Sequence, residues 1–129
     1  MTCMPHWLND FPKLIPFSKQ IQLGLHLTLT DQNCMTSMPS LAPERQLPTA
    51  RKLLRLAISN SLNYDEILSE LQKQYDAFCS AVGKPPDFID GHHHIHQFPI
   101  IRNAIIELLK KNKTTKFPWI RICWEPPLR

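Results

Sequence analysis

The sequence predicts an α/β fold in which parallel strands are joined by crossover helices. Three observations carry this. Residues 21–30, IQLGLHLTLT, place leucine at 23, 25, 27 and 29, the two-residue period of a strand with one apolar face. Residues 63–83 carry apolar side chains at helical spacing between a start signal and a stop signal. A short strand, PDFID at 86–90, then precedes another helical pattern and a last strand-like run, PWIRICW at 118–124. Strands that alternate with helices argue for parallel pairing.

The elements follow in order. HWLNDFPKLIPFSKQ, residues 6–20, reads as a short helix broken by Pro12 and Pro16. After strand 21–30, residues 31–50 hold Pro39, Pro43 and Pro48 among small polar residues. A loop of this length in a small domain is often a lid or a binding loop. TARKLLRLAIS, from Thr49, reads as a helix. Asn63 is placed to cap the next one, and Glu66 three positions on completes a capping-box pattern. Ile67, Leu71, Tyr75, Phe78 and Val82 form its apolar stripe. Gly83 suits the left-handed position past its end, and Pro85 and Pro86 prevent continuation. After Pro99, IIRNAIIELLKKNK turns Ile101, Ile105, Leu108 and Leu109 to one side.

The 129 residues suit one domain with one core. An apolar content of 43% argues against disorder. Twelve prolines against three glycines imply rigid bends and few left-handed turns. A net charge of +4 raises nucleic acid as a partner. However, Lys110, Lys111, Lys113 and Lys116 gather at one helix C-terminus, where cations offset the helix dipole, and no aromatic residue interleaves them. No nucleic-acid partner is therefore expected. Cys3, Cys34, Cys79 and Cys123 form no Cys-x-x-Cys, so they read as free thiols of a reducing cytoplasm. MTCMPHWLNDF has no basic or apolar stretch of the signal-peptide kind, and no apolar run reaches membrane-span length.

Four of the six histidines fall in DGHHHIHQFP, residues 90–99. They lie just past a strand, where parallel α/β folds keep their chemistry. If the segment stays extended, His92, His94 and His96 share one side with Asp90, and His93 faces the other. Neutral imidazoles hold borderline divalent metals, and Asp90 is placed to ligate or to orient a ring. His26 lies on the non-leucine face of its strand, beside Thr28 and Thr30. A single strand histidine is more often a hydrogen-bonded core residue than a ligand; four in five positions are hard to explain by packing. His6 reads as a surface residue. A site of His26 and one clustered histidine would still need a third ligand, typically a carboxylate.

GLHLTLT followed some sixty residues later by DFIDGHHHIHQFP resembles the YdjC-like carbohydrate deacetylases, a family that includes chitooligosaccharide deacetylases and hopanoid-associated relatives. TCM at residues 2–4, YDAFCSAVGKPPDFID and WIRICWEP extend the resemblance over nearly the whole chain. It implies a partial (β/α) barrel, TIM-barrel-like, with a divalent metal bound by one aspartate and two histidines. Magnesium is the first expectation, with zinc, manganese or cobalt as alternatives. Carried over by position, His26 and His92 are the metal ligands. Asp90, His94 and His96 are expected behind them or at the reacting bonds, and Arg121 against substrate. The activity implied is hydrolysis of the N-acetyl group of an acetylated amino sugar or oligosaccharide by metal-activated water.

Members of that family begin with a strand ending in an Ala-Asp-Asp-Phe-Gly-like motif, whose aspartates supply the third ligand and the base. This sequence has no such motif, and Asp10, beside Pro12, is not a replacement. Family members also continue beyond WIRICWEPPLR. The expectation is a single partial deacetylase domain over residues 1–129. It would lack the Asp-Asp strand and the closing strands, bind metal weakly, associate through open sheet edges and show little activity. Two alternatives stay open. One is an inactive remnant or half-subunit that needs a homo-oligomeric or complementary chain. The other is a metal-binding module built from the histidine cluster alone.

Overall fold

Strands β1 (Gly24–Leu27), β2 (Phe88–Gly91) and β3 (Trp119–Ile120) form one sheet in the order β1-β2-β3, with both pairs parallel. The computed structural model describes residues 1–112 and 117–122. The crossover from β1 to β2 contains α2 (Ala50–Ile58) and α3 (Tyr64–Val82), and that from β2 to β3 contains α4 (Ile101–Lys111). The parallel α/β architecture expected from the alternation of elements is the one observed.

The leucine alternation is realised as burial: Leu23, Leu25, Leu27 and Leu29 are all in the core. They meet Ile67 and Leu71 of α3, Ile89 of β2, and Ile101, Ile105 and Leu108 of α4 in one cluster. Each such side chain contributes roughly 1.5–3 kcal/mol by leaving water. The strand is nonetheless shorter than residues 21–30. At Thr28 the Gln74 amide takes the place of a neighbouring strand. It accepts from Thr28 N–H at 3.0 Å and donates to its carbonyl at 2.7 Å. Gly24 pairs in register with Phe88, whose ring lies where a Cβ on Gly24 would sit, so a larger residue there would force the ring aside. The same ring stacks on Trp119, with centroids 4.8 Å apart, and so links β1, β2 and β3.

At the N-terminus, α1 (Trp7–Asp10) passes into a 3-10 turn over Phe11–Phe17 that spans Pro12 and Pro16. Trp7 and Phe11 pack together and Trp7 stacks on Phe78 of α3. Asp10 is exposed and pairs with Lys13. Thr49 caps α2 and Asn63 caps α3, the latter accepting from Asp65 N–H and Glu66 N–H. The expected capping box is not closed, because Glu66 binds the amides of Ser40 and Leu41 in the long loop instead. Gly83 ends α3 at φ 76°, as its position predicted. Cys3, Cys34 and Cys79 are free thiols, and His6 is exposed. Of the run 118–124, Trp119–Ile120 is strand, while Cys123 and Trp124 lie outside the described residues, as do Lys113 and Lys116. Among the described residues, no helix is long and apolar enough to cross a membrane.

Candidate functional site

The site gathers where β1 and β2 end. Parallel register sets His26 beside Asp90, and paired residues point to the same face. Asp90 Oδ1 lies 2.7 Å from His26 Nδ1. An ionised carboxylate can only accept, so Nδ1 is the donor, and in the neutral ring Nε2 is left with its lone pair. That Nε2 lies 3.4 Å from His92 Nδ1. Two ligands at about 2.1 Å from one ion, spread by a tetrahedral angle, stand about 3.4 Å apart. The imidazole pair therefore fits a shared cation, and Asp90 takes the place of the carboxylate that commonly orients a ligating histidine. Arg121 reaches the other oxygen of Asp90, at 3.5 Å.

The histidine segment does not stay extended. From Gly91 the chain turns into a 3-10 stretch over His92–Gln97, and His93 and His94 both take left-handed φ, at 51° and 58°. Such a conformation costs about 1–2 kcal/mol per residue away from glycine. The parity expected from an extended strand is therefore broken. His93 comes round against His92, with ring centroids 4.0 Å apart, rather than facing away. Its Nδ1 is 3.2 Å from Thr30 Oγ1 and 3.4 Å from Asp31 Oδ2. His94 meets His96 edge to face. His96 is buried, and its Nε2–H donates to the Arg121 carbonyl at 2.8 Å, tying this segment to the end of β3. Its Nδ1 is buried with no hydrogen-bond partner among the described residues.

Burial pushes the pKa of His92 down, helped by the nearby His93 and His26. Burial also pushes His96 down, against the pull of its bond to the Arg121 carbonyl. Both rings are thereby biased to the neutral form that can ligate or accept.

The sequence picked out His26, Asp90, His92, His96 and Arg121, and the structure joins them in one chain of contacts. It passed over Asp31. This residue follows the leucine strand directly, and an acidic residue just past the C-terminal end of a parallel strand was the available signal. Ligand atoms of Asp31, His92 and His93 all lie within 4.8 Å of one another. Asp31 is held by its own N–H to the Pro48 carbonyl, at 3.1 Å, and by the Gln46 amide on its carbonyl, at 3.1 Å.

Also unforeseen was a polar row on α3. Glu66, Glu70 and Gln74 stand four residues apart, on one helix face. Gln74 holds Thr28, and Glu66 holds Ser40 and Leu41. Glu70, fully buried, accepts from Met35 N–H, Thr36 N–H, Thr36 Oγ1 and the Gln74 amide. The loop leaving β1 is thus fastened to α3 along its length, and Thr30 and Asp31 are carried with it to the histidines. A groove of about 550 Å³, lined by His96, Arg102, Ile105, Ile120, Arg121 and Ile122, opens beside Arg121 but does not reach His26 or His92.

A family model described as YdjC-like protein matches residues 1–129. The chain is 41% identical over 81 residues to a chitooligosaccharide deacetylase of Serratia marcescens, covering 63% of this chain and 32% of that protein. It is 37% identical over 93 residues to one of Citrobacter koseri, covering 72% and 33%, and 38% identical over 89 residues to one of Proteus mirabilis, covering 69% and 34%. The chain thus spans about a third of the length of these curated relatives. Its fold is similar to a crystal structure from Enterococcus faecalis V583, described there as a candidate cellobiose-phosphate cleavage protein. That match has a TM-score of 0.74 at 21% identity, over 92% of this chain and 45% of that one. With a parallel α/β sheet, paired histidine motifs at its C-terminal edge and a family match from end to end, this chain belongs to the YdjC-like protein family.

Proposed function

We propose that this chain supplies the histidine side of a metal-dependent carbohydrate deacetylase. The reaction is hydrolysis of the N-acetyl group of an acetylated amino sugar or oligosaccharide, giving acetate and a free amine. The observation that carries the reading is the 3.4 Å approach of His26 Nε2 to His92 Nδ1 with Asp90 behind His26. The relatives named chitooligosaccharide deacetylase support the substrate class. A divalent cation bound to the two imidazoles would supply an acidified water and polarise the acetamide carbonyl. Among magnesium, zinc, manganese and cobalt, an imidazole-rich donor set favours the borderline ions over magnesium.

The chain's own residues do the following. Asp90 holds the His26 tautomer that leaves Nε2 free to ligate. Arg121 steadies Asp90, and its half-exposed guanidinium has donors left for sugar hydroxyls. His96 fixes the backbone of Arg121 through a neutral ring. His94, exposed and edge to face with His96, is the candidate to protonate the leaving amine. Free thiols at Cys3, Cys34 and Cys79 support a cytoplasmic location.

The test is acetate release from N,N′-diacetylchitobiose by the full chain with each of the four cations. Slow, cation-dependent release is expected, falling at least tenfold in His26→Gln and His92→Gln. Cation binding without acetate release under any of the four ions would favour the second reading, a metal-binding module, which the clustering of Asp31, His92 and His93 supports.

A further inference from the structure

We infer that the outward face of α2 is a docking surface for an anionic phospholipid bilayer. From Arg45 to Tyr64 the sequence holds Arg45, Arg51, Lys52 and Arg55 and no acidic residue. Thr49 caps α2, and Leu53 and Ala57 are buried in the core, so the opposite face is held outward. Residues four apart stand one above the other on a helix. Arg51 and Arg55 therefore form one ridge, and Leu54 and Ile58 form the ridge beside it. Lys52 flanks the basic ridge on its other side. Leu54 is 38% exposed and Ile58 69%. Arg51, Lys52 and Arg55 are all exposed, and none of them pairs with a carboxylate among the described residues. Arg45 is engaged elsewhere, by the Cys34 carbonyl.

The make-up of this face selects its occupant. A solvated helix face accounts for three cations but not for two large apolar side chains in the same exposed arc. Nucleic acid would take the cations and leave Leu54 and Ile58 without apolar contact, and α2 has no aromatic side chain to stack on bases. A second copy docked by a two-fold contact would set one basic ridge against another. A bilayer answers both ridges: headgroup phosphates meet the cations while leucine and isoleucine enter the acyl boundary. Each Lys or Arg beside an anionic bilayer strengthens attachment about fivefold, so three together give about a hundredfold. The helix is already seated on the core, so docking carries little ordering cost. α2 also starts at the site end of the fold. The Pro48 carbonyl, just before the cap, accepts from Asp31 N–H, so a bilayer on this face borders the end of the sheet where the histidines gather.

The experiment is co-sedimentation of the full chain with vesicles, one set of equal parts phosphatidylglycerol and phosphatidylcholine, the other of phosphatidylcholine alone. Binding to the first set only is expected, weakening as salt rises from about 0.05 M to about 0.5 M because screening shortens the reach of the charges. The triple variant Arg51→Gln, Lys52→Gln, Arg55→Gln should bind about a hundredfold more weakly. Ile58→Ser keeps every charge and should bind about fivefold more weakly, which separates entry of the apolar ridge from plain adsorption of a basic protein. All four positions are exposed, and thermal unfolding checks that each variant keeps its fold. No binding of the unaltered chain to the anionic vesicles, or wild-type binding in either variant, overturns the docking face. Retention on poly-glutamate without vesicle binding would assign the cations to an acidic polypeptide and overturn it too. None of these measurements reads acetate release, so the deacetylase proposal stands or falls separately.

Discussion

Asp90 Oδ1 lies 2.7 Å from His26 Nδ1, and the two residues are direct partners in the parallel register of β1 and β2. The sheet itself therefore decides which ring nitrogen of His26 faces outward. Removing the charge of Asp90 should cost ligation without removing a ligand. Asp90→Asn is expected to weaken zinc binding by about 10–100-fold, the usual effect of losing a carboxylate behind a ligating histidine. Calorimetric titration measures this, and unchanged affinity would remove Asp90 from the site.

Glu70 gathers two loop amides, a hydroxyl and the Gln74 amide around one buried carboxylate. Glu70→Ala leaves those donors without an acceptor. A loss of about 2–3 kcal/mol is expected. Hydrogen exchange should then accelerate at Met35 and Thr36, while the amides of β2 keep their protection. A melting temperature equal to wild type, with both loop amides still protected, would count against the clasp.

Gly91 is needed for closeness rather than for a special φ. A Cβ there would lie 2.8 Å from Ile95 Cγ1 and 2.9 Å from both His96 N and His96 Nδ1. Gly91→Ala is expected to cost about 1–3 kcal/mol by overpacking. It should also push His96 away from the Arg121 carbonyl. Thermal unfolding reads the first effect, and the His96 ring resonances read the second.

Burial lowers the pKa of His96 from its ordinary value of 6.5. The unfolded chain then binds a proton more readily than the folded one, so this ring favours folding when neutral. That contribution is whole above the unfolded value and is lost as pH falls through the lower folded value. His92 is shifted in the same direction. Melting temperature should fall as pH drops from about 7.5 to about 5.5, and fall less steeply in His96→Asn. A melting temperature flat across that range would contradict the shift.

Much of the framework was readable in one dimension. The leucine period of residues 21–30 announced β1 and its buried face, because side chains alternate along any extended strand. Asn63 and Gly83 marked the ends of α3, because capping is local chemistry. His26, Asp90 and the histidine cluster stood out by residue type and by their place at strand ends, whereas the choice of His26 and His92 as the ligand pair came from the family resemblance. Glu66 was misread because its sequence neighbour and its loop partner compete for one carboxylate, and only the fold brings Ser40 and Leu41 near it.

By itself, then, the sequence determined the order of strands and helices, the buried face of β1, and the pool of imidazoles and carboxylates. The tertiary structure alone decided which of these donors meet. It turned His93 through a left-handed bend onto His92, carried Asp31 in on a loop clamped to α3, and set Asp90 behind His26. The reason is that periodicity and capping depend on neighbours a few residues away. The site instead depends on contacts across more than sixty residues, set by strand register and by the path of a loop.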